Sequence, residues 1–226
     1  MKRLFMWGLI VAGMACLGLD AQGADSAKVK LELTLPKPMF PGTPVPVDGL
    51  PNLEPPRAAG KRPDLMVPAG LTNVARGRTV AASDSAPIIG ELDFLTDGDK
   101  EGADGSYVEF GPGTQWVQID LGSTQEIFAI VVWHYHSQAR VYHDVIVQMS
   151  DDASFISGVK TLYNNDHDNS SGQGIGKNLA YVETNEGRLI DAHGAKARYV
   201  RLYSRGNTSN DLNHYVEVEV YGRPAK

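Results

Sequence analysis

Apolar and polar residues alternate with a period of two along several short stretches of this chain. In residues 115–121, the apolar side chains of Val117, Ile119 and Leu121 occupy every second position. Such alternation is typical of a strand with one buried face and one face in water. Turn-rich, acidic loops separate these stretches, so the pattern predicts an all-β sandwich.

The compact region is predicted to span residues 73–222, which is long enough for one substantial core. Residues 127–133 are apolar on both faces, as expected of a central strand. No long amphipathic helix is evident. The strands predicted in this region are residues 108–110, 115–121, 126–135, 143–150, 158–163, 180–183, 199–204 and 215–221.

Two details of this pattern can be tested directly. Asp120-Leu121-Gly122 is predicted to be a turn between two strands. In the last strand, the core is expected to receive every second residue, which leaves Glu217 and Glu219 facing water; the core-facing residues are Val216, Val218 and Val220. Because a sandwich presents its loops at its two ends, function is expected in the loops.

The first 23 residues have the layout of a secretory signal peptide. A basic start, Met1-Lys2-Arg3, precedes an apolar run at residues 4–19 and small residues at 21–24. The apolar run is too short and too poorly flanked for a membrane span, so no transmembrane segment is expected in the mature chain. We therefore expect a secreted, periplasmic or cell-envelope protein.

Cys16 is the only cysteine of the chain. One interpretation is an apolar residue that is removed with the signal peptide. The other is the lipidated cysteine of a degenerate lipoprotein signal, which would anchor the mature chain to a membrane. In the first case the mature chain can form no disulfide, and stability must come from the core, alone or with a metal ion.

Residues 24–72 are dense in proline, which fixes φ and donates no backbone hydrogen bond. This composition predicts an extended segment with one short strand in residues 28–35. It is either a spacer or a strap that lies across the sandwich. A strap would have few apolar anchors: Met39, Phe40 and residues 65–67.

The charge pattern narrows the choice of partners. The chain has 21 Lys and Arg residues against 27 Asp and Glu residues, a formal net charge of −6, and no basic run stands out. Neither nucleic acid nor an anionic membrane surface is therefore expected as a partner. The chain contains no Gly-x-Ser-x-Gly elbow, phosphate-binding loop or zinc-protease motif, so we predict a binding protein and not an enzyme.

Six short motifs stand at residues 73–77, 96–99, 116–122, 145–152, 198–202 and 217–222. They occur in the order expected of a discoidin domain. The chain resembles the discoidin, or coagulation factor 5/8 type C, family and is similar to the bacterial family 32 carbohydrate-binding modules. The resemblance implies a galactose-binding-like jelly-roll sandwich, recognition of carbohydrate or glycoconjugates by loops at one end, and often one calcium ion. A structural or protein-interaction module without sugar binding is the alternative.

The resemblance also implies a set of calcium ligands. In this family, Asp97 and Asp99 of the Thr96-Asp97-Gly98-Asp99 turn correspond to ligands, with Glu217 as the closing ligand and Glu219 as second choice. Carboxylates on a flexible turn suit the oxygen coordination of calcium. The run that follows, residues 100–105, is longer than is usual in the family, so Ser106 is not counted as a ligand. The alternative is an ordinary Asp-Gly turn in water.

The end of the 126–135 strand carries the main candidates for ligand binding. His134 and His136 are two residues apart, so they point to one face of a strand. With Arg140 they could hold vicinal hydroxyls of a sugar, which stacks on Trp133 or Tyr135. The alternatives are a strand end with internally satisfied side chains, and a metal-dependent enzyme that uses the two histidines with residues 166–168.

Two polar loops complete the candidates. Residues 164–172 form either a polar binding loop, a second cation site or a solvated turn rich in Asp and Asn. The loop lacks the Glu that an EF-hand requires. The loop before the last strand contributes Asn207, Asp211 and His214 as weaker ligand-binding candidates, with a solvated turn as the alternative.

Overall fold

The structure is a computed structural model that describes residues 27–39, 50, 52–55 and 62–226. The predicted signal peptide and Cys16 lie outside these residues. A 3₁₀ turn at Leu92–Thr96 is the one helical element of the described part, and no helix there has the length and apolar character to cross a membrane. The strands are β1 Lys28–Lys30, β2 Met66–Pro68, β3 Thr72–Asn73, β4 Val80–Ala82, β5 Val108–Phe110, β6 Gln115–Trp133, β7 Ile146–Ser150, β8 Lys160–Asn164, β9 Arg188–Ser204, β10 Asn213–Tyr215 and β11 Glu217–Pro224.

Strands β6 and β9 pair with each other along most of their length and contribute to both layers of the sandwich. The first half of β6 pairs with β4 on one side and with the end of β9 on the other, and this layer continues through β7 to β8. The second half of β6 pairs with the start of β9 and with β11, which pairs with β3. A separate ribbon joins β5 to β10. The all-β sandwich prediction is confirmed.

The predicted turn at residues 120–122 is wrong. The chain continues as one strand through this point, and the β6–β9 register shifts between Asp120 and Gln125. Gly122 has a φ of +85°, which glycine adopts without strain. The irregularity therefore acts as a bulge that lets one strand contribute to two layers.

The core lies between the two layers. Val117, Ile119 and Leu121 of β6 are fully buried and pack in one cluster with Val218 and Val220 of β11, as predicted. Each fully buried side chain of this kind contributes about 1.5–3 kcal/mol through removal from water. One continuous apolar core thus fills the space between the two layers.

The predicted exposure of Glu217 and Glu219 is wrong. Their relative exposures are 0% and 5%. They lie opposite Trp133 and Val131 of β6, on a second face of the sheet that is also covered. Val216 belongs to this second face and not to the main core. The face is covered by partly buried side chains, two of them from distant segments and two from the sheet itself: Leu33 and Tyr107, and Leu189 of β9 and Tyr221 of β11.

The described residues before Asn73 lie against the sandwich, as the strap interpretation requires. Ribbon β1–β2 pairs Val29 with Val67, and Leu33 packs on the second face. Some of the expected anchors are buried and others are not. Met39 and Met66 are exposed at 49% and 52%, whereas Val67 is buried; Phe40 lies outside the described residues.

Residues 180–183 do not form the predicted strand. Ala180 makes only an isolated parallel bridge to Leu53, and the segment leads into β9, which begins at Arg188 and not near residue 199. The early part of β9 buries the small side chains of Ala192 and Ala197, which give only a weak apolar signal in a sequence.

Candidate functional site

Three loops meet at the end of the sandwich where the ligand-binding candidates were predicted. Residues 134–145 follow β6, residues 205–212 precede β10, and residues 101–107 precede β5. An antiparallel bridge joins Tyr142 to Asn207, and the His143 N–H donates to the carbonyl of Gly206. The loops are thus held together, and we refer to this region as the loop end.

His134 is fully buried and points into the protein. Its Nδ1 lies 2.6 Å from Oε1 of Glu183, which is also fully buried. The imidazole stacks on the ring of Tyr142 with a centroid distance of 4.4 Å. Nε2 of His134 and Oε2 of Glu183 have no hydrogen-bond partner among the described residues. His134 therefore supports the loop end from below and presents no atom at the surface.

His214 belongs to the same buried network. Its Nδ1 lies 3.0 Å from the Tyr142 hydroxyl, and its Nε2 lies 2.9 Å from Oε2 of Glu109. Burial, with smaller contributions from Arg140 and His134, lowers the pKa of His214 to about 4. These contacts fit a neutral imidazole that accepts from Tyr142 and donates to Glu109.

His136 is separate from this network. It is fully buried, and its Nε2 donates to the carbonyl of Lys100 at 2.8 Å. The imidazole also lies against Gly102, so it fixes the loop that follows the Asp97–Asp99 turn. The structure therefore gives His136 a structural contact, although the sequence suggested that it would contact a ligand.

Arg140 lies beneath the surface of the loop end. Only 5% of it is exposed, and its guanidinium carbon lies 4.7 Å from the centroid of the Tyr135 ring. One terminal nitrogen donates to Oε1 of Gln138 at 3.0 Å. Its Nε–H has no hydrogen-bond partner among the described residues. Arg140 thus retains donor capacity directly behind an aromatic ring.

Two tyrosine rings provide the aromatic surface of the loop end. Tyr107 and Tyr135 are partly exposed, and their rings meet edge to face with centroids 5.1 Å apart. Burial and the nearby Glu109 raise the pKa of Tyr107. Sequence analysis named Tyr135 only as an alternative and did not identify Tyr107, whose position depends on the fold of a distant loop.

Trp133 cannot serve as a stacking platform. It is fully buried, its Nε1–H donates to the Asn185 carbonyl at 3.0 Å, and the Gly187 backbone lies against its ring. The Lys100 ammonium also lies over the ring, 5.3 Å from its centroid. The second covered face of the sandwich encloses this indole, which corrects the sequence-based assignment.

Asn207 organises its own loop and is also mostly buried. Its side-chain oxygen accepts from the N–H groups of Ser209 and Asn210, and its side-chain nitrogen donates to the Leu212 carbonyl. Such contacts are typical of an Asn turn. Asp211, in contrast, is exposed and available to a ligand.

The predicted calcium region forms a compact turn at the surface. Asp97, Asp99 and Ser106 line one small cavity of about 110 Å³ together with Phe94. Asp97 Oδ1 accepts from the Asp99 N–H at 2.7 Å. Ser106, which sequence analysis did not count, thus lies on the same cavity as the two predicted aspartates.

Glu217 approaches the same turn from inside the protein. Its Oε2 accepts from the Gly98 N–H at 3.1 Å, whereas its Oε1 is buried and has no hydrogen-bond partner in the described part of the chain. Burial raises the pKa of Glu217 to about 9. Glu219 is already paired with the Lys100 ammonium at 2.7 Å. Glu217 therefore fits a cation better than Glu219 does, because one of its carboxylate oxygens has no partner among the described residues.

The loop at residues 164–172 brings together three carboxylates. One oxygen each of Asp144, Asp166 and Asp168 lies within 4.8 Å of the others. Burial and the two neighbouring carboxylates raise the pKa of Asp144. Hydrogen bonds from Ser170 and Ser171 to these groups hold the loop in a series of tight turns. Among the described residues no histidine joins this group, so the structure does not bring His134 and His136 to residues 166–168 as the alternative of a metal-dependent enzyme requires.

A larger open cavity of about 710 Å³ lies on another part of the surface. It runs beside the 3₁₀ turn and includes the exposed side chains of Arg78, Glu91 and Asp93. Asp97 is the one predicted site residue on its lining. The cavity is therefore separate from the ligand-binding candidates of the loop end.

Comparison with known proteins identifies the class of fold. Residues 94–202 match a family model described as a NedA-like, galactose-binding domain of the F5/F8 type C group. A family 89 glycoside hydrolase from Clostridium perfringens superposes with a TM-score of 0.51 and 21% identity over 67% of this chain and 15% of that chain. No curated protein sequence matches the chain.

Two smaller solved structures are also similar. The family 32 module of AlyQ, in complex with 4,5-unsaturated mannuronic acid, has 22% identity and a TM-score of 0.47 over 63% of this chain and 92% of that chain. A Streptococcus pneumoniae fucose binding module, SpX-3, has 19% identity and a TM-score of 0.47 over 67% and 98%. The predicted resemblance to the discoidin, or F5/F8 type C, family is confirmed by the family model over residues 94–202.

Proposed function

We propose that this chain is an exported, non-catalytic module that binds carbohydrate at the loop end. The observation that carries this proposal is the pair of partly exposed rings, Tyr107 and Tyr135, which meet edge to face at the loop end. The ring face of Tyr135 suits the apolar face of a sugar. The buried guanidinium of Arg140, 4.7 Å from the Tyr135 ring centroid, holds this ring in place through a cation–π contact.

The buried network gives this surface a rigid support. Glu183 holds His134, which stacks under Tyr142, and Tyr142 in turn contacts His214. Because ligand groups bind best to side chains that are already fixed, these contacts support recognition without touching the ligand. The histidines therefore act in support of the site, and Asp211 and Gln138 supply exposed polar groups at its rim.

The similarities support an accessory binding role. The match to 15% of a glycoside hydrolase chain fits a module that accompanies catalysis without performing it. Another structure of that hydrolase was solved with GlcNAc-α-1,4-galactose as its substrate. For this chain we propose neutral or substituted saccharides as ligands, with single-site affinities of about mM to µM and avidity through clustering.

A structural calcium ion at the Asp97–Asp99 turn is part of this proposal. The unpartnered, buried Oε1 of Glu217 and the cavity shared by Asp97, Asp99 and Ser106 support it. Calcium would supply the positively charged partner that the buried carboxylate of Glu217 lacks, and its coordination would fix the turn. The turn leads to Lys100, whose carbonyl accepts from His136, so the ion would also steady the loop end.

A glycan array tests the proposed function directly. The mature chain is applied with calcium and with a chelator, beside the Tyr135→Ala and Arg78→Ala variants. We expect hits that disappear in the variant and weaken with chelator. A folded chain with no hit on any saccharide would instead favour the protein-interaction module. Hits that persist in Tyr135→Ala but vanish in Arg78→Ala would move the site to the cavity beside the 3₁₀ turn.

A further inference from the structure

The connection from Glu183 to Arg188 contacts the loop end on its inner side. Glu183 binds His134, and the Asn185 carbonyl accepts from Nε1 of Trp133. Gly187 has a φ of +61°, and a side chain there would meet the Trp133 ring at 2.8 Å. This connection, which we call the 183–188 turn, therefore fixes two adjacent residues at the end of β6.

The same turn is held from outside by the strap, the described residues before Asn73. The Asn185 side-chain nitrogen donates to the carbonyl of Pro36 at 2.9 Å. Arg62 donates to the Glu186 carbonyl at 2.8 Å. Pro36 and Arg62 are 26 residues apart in the sequence (62 − 36), yet they contact two neighbouring residues of one short turn.

A third contact fixes the end of the turn. Arg188 donates to Oε2 of Glu54 at 2.8 Å, and its guanidinium lies within 4.9 Å of the ring centroids of Tyr163 and Tyr181. Charge-assisted contacts that are partly shielded from water are stronger than those at an open surface. The strap thus contacts the first, middle and last parts of the connection between Asn185 and Arg188.

We propose that the strap is a positioning element of the binding module: it clamps the 183–188 turn and, through it, holds Trp133 and His134 in place. Its effect on ligand affinity rests on the proposed function, whereas its effect on the two side chains does not. The functional unit then begins before residue 33, and not at Asn73. Leu33, which packs on the face that encloses Trp133, completes this clamp.

The test uses the mature chain and the variant Asn185→Ala. This change removes the side-chain contact to Pro36 and keeps the backbone carbonyl that binds Trp133. Leu33→Ala is the second variant, and Leu35→Ala, at a strap residue that is 38% exposed, is the matched control. The readouts are hydrogen exchange of the Trp133 indole N–H and the ring nitrogen shifts of His134, measured by NMR without ligand.

We expect indole exchange to be roughly fivefold faster in Asn185→Ala and Leu33→Ala, because each loses about one net hydrogen bond or an equivalent contact. The His134 ring shifts should change as well, and Leu35→Ala should match the parent chain. Unchanged exchange and unchanged His134 shifts in both variants would overturn the proposal. If the parent chain binds a saccharide, an affinity equal in all variants would also overturn it; absence of binding in the parent would count against the proposed function alone.

Discussion

Nδ1 of His134 lies 2.6 Å from Oε1 of Glu183, and neither side chain is exposed to solvent. This contact joins the end of β6 to the 183–188 turn across 49 residues of sequence. Because both groups are buried, removal of one leaves a polar partner that water cannot reach. The pair is therefore expected to be important for stability as well as for the geometry of the loop end.

Replacement of Glu183 tests this relationship. We expect Glu183→Ala to lower the free energy of unfolding by about 3 kcal/mol, since it breaks a buried pair. Glu183→Gln should cost less, because its amide oxygen still accepts from His134. Urea denaturation at pH 7 measures both, with Glu91→Ala at an exposed carboxylate as control. A value for Glu183→Ala that equals the control would contradict a stabilising role.

The sequence was most informative where one face of a strand repeats the same environment. The first half of β6 was predicted because Val117, Ile119 and Leu121 all face one core, and alternation reports that directly. The fold class followed from several such stretches, together with motifs in a recognisable order. These patterns are local, so they can be interpreted without knowledge of which strands are neighbours.

The errors come from contacts between distant segments. Glu217 and Glu219 have the alternation of a solvated face, yet Leu33 and Tyr107 cover that face from elsewhere in the chain. Trp133 was taken as a platform for the same reason, since nothing near it in sequence shows that the 183–188 turn covers it. Tyr107 was missed because a single ring in a loop acquires meaning only when the fold places it against Tyr135.

His214 predicts a defined pH dependence of stability. Its pKa falls from 6.5 in the unfolded chain to about 4 in the folded protein, mainly through burial. The unfolded state therefore binds the proton more readily between these values. The stabilisation is complete above pH 6.5 and is lost as the pH falls towards 4, by up to about 3 kcal/mol. Burial raises the pKa of Glu109, which acts in the opposite direction and partly offsets the loss.

Calorimetry between pH 7 and pH 4 checks this expectation. The parent chain should lose more stability over this interval than His214→Asn, which has no imidazole to protonate. Other acidic groups titrate in both chains, so the difference between the two profiles isolates His214. Parallel profiles would show that the imidazole binds its proton equally well in the folded and unfolded states.

Calcium should raise the melting temperature of the parent chain. A ligand at one hundred times its Kd stabilises the folded state by about 2.7 kcal/mol, which corresponds to a shift of several degrees. Asp97→Ala should abolish this shift, whereas Asp104→Ala, at an exposed carboxylate of the following loop, should retain it. Differential scanning calorimetry with calcium and with a chelator measures the effect. An equal response in the parent and Asp97→Ala would remove Asp97 from the ligand set.

Glu217→Gln separates the cost of burial from the benefit of the ion. In chelator, this variant should be at least as stable as the parent chain, because burial raises the pKa of Glu217 to about 9 and an ionised carboxylate is unfavourable there. In calcium the order should reverse, since the amide is a weaker ligand. Thermal melts at pH 7 in both conditions test the crossing, and a variant that is less stable by the same amount in both would contradict it.

Tyr135 offers the sharpest test of how the loop end recognises its ligand. Its ring centroid lies 4.7 Å from the guanidinium carbon of Arg140. Tyr199 of β9 provides a matched control, because the guanidinium carbon of Arg198 lies 5.0 Å from its ring centroid. We expect Tyr135→Ala to weaken saccharide binding by about tenfold, a loss of about 1.4 kcal/mol, while Tyr135→Phe keeps most of the affinity and Tyr199→Ala leaves it unchanged. Isothermal titration calorimetry gives the affinities, and circular dichroism confirms that each variant is folded.

The control decides how a loss of affinity is interpreted. Because both tyrosines cover an arginine, equal losses in Tyr135→Ala and Tyr199→Ala would indicate a general effect on the sandwich. A loss confined to Tyr135→Ala identifies the ring that contacts the sugar.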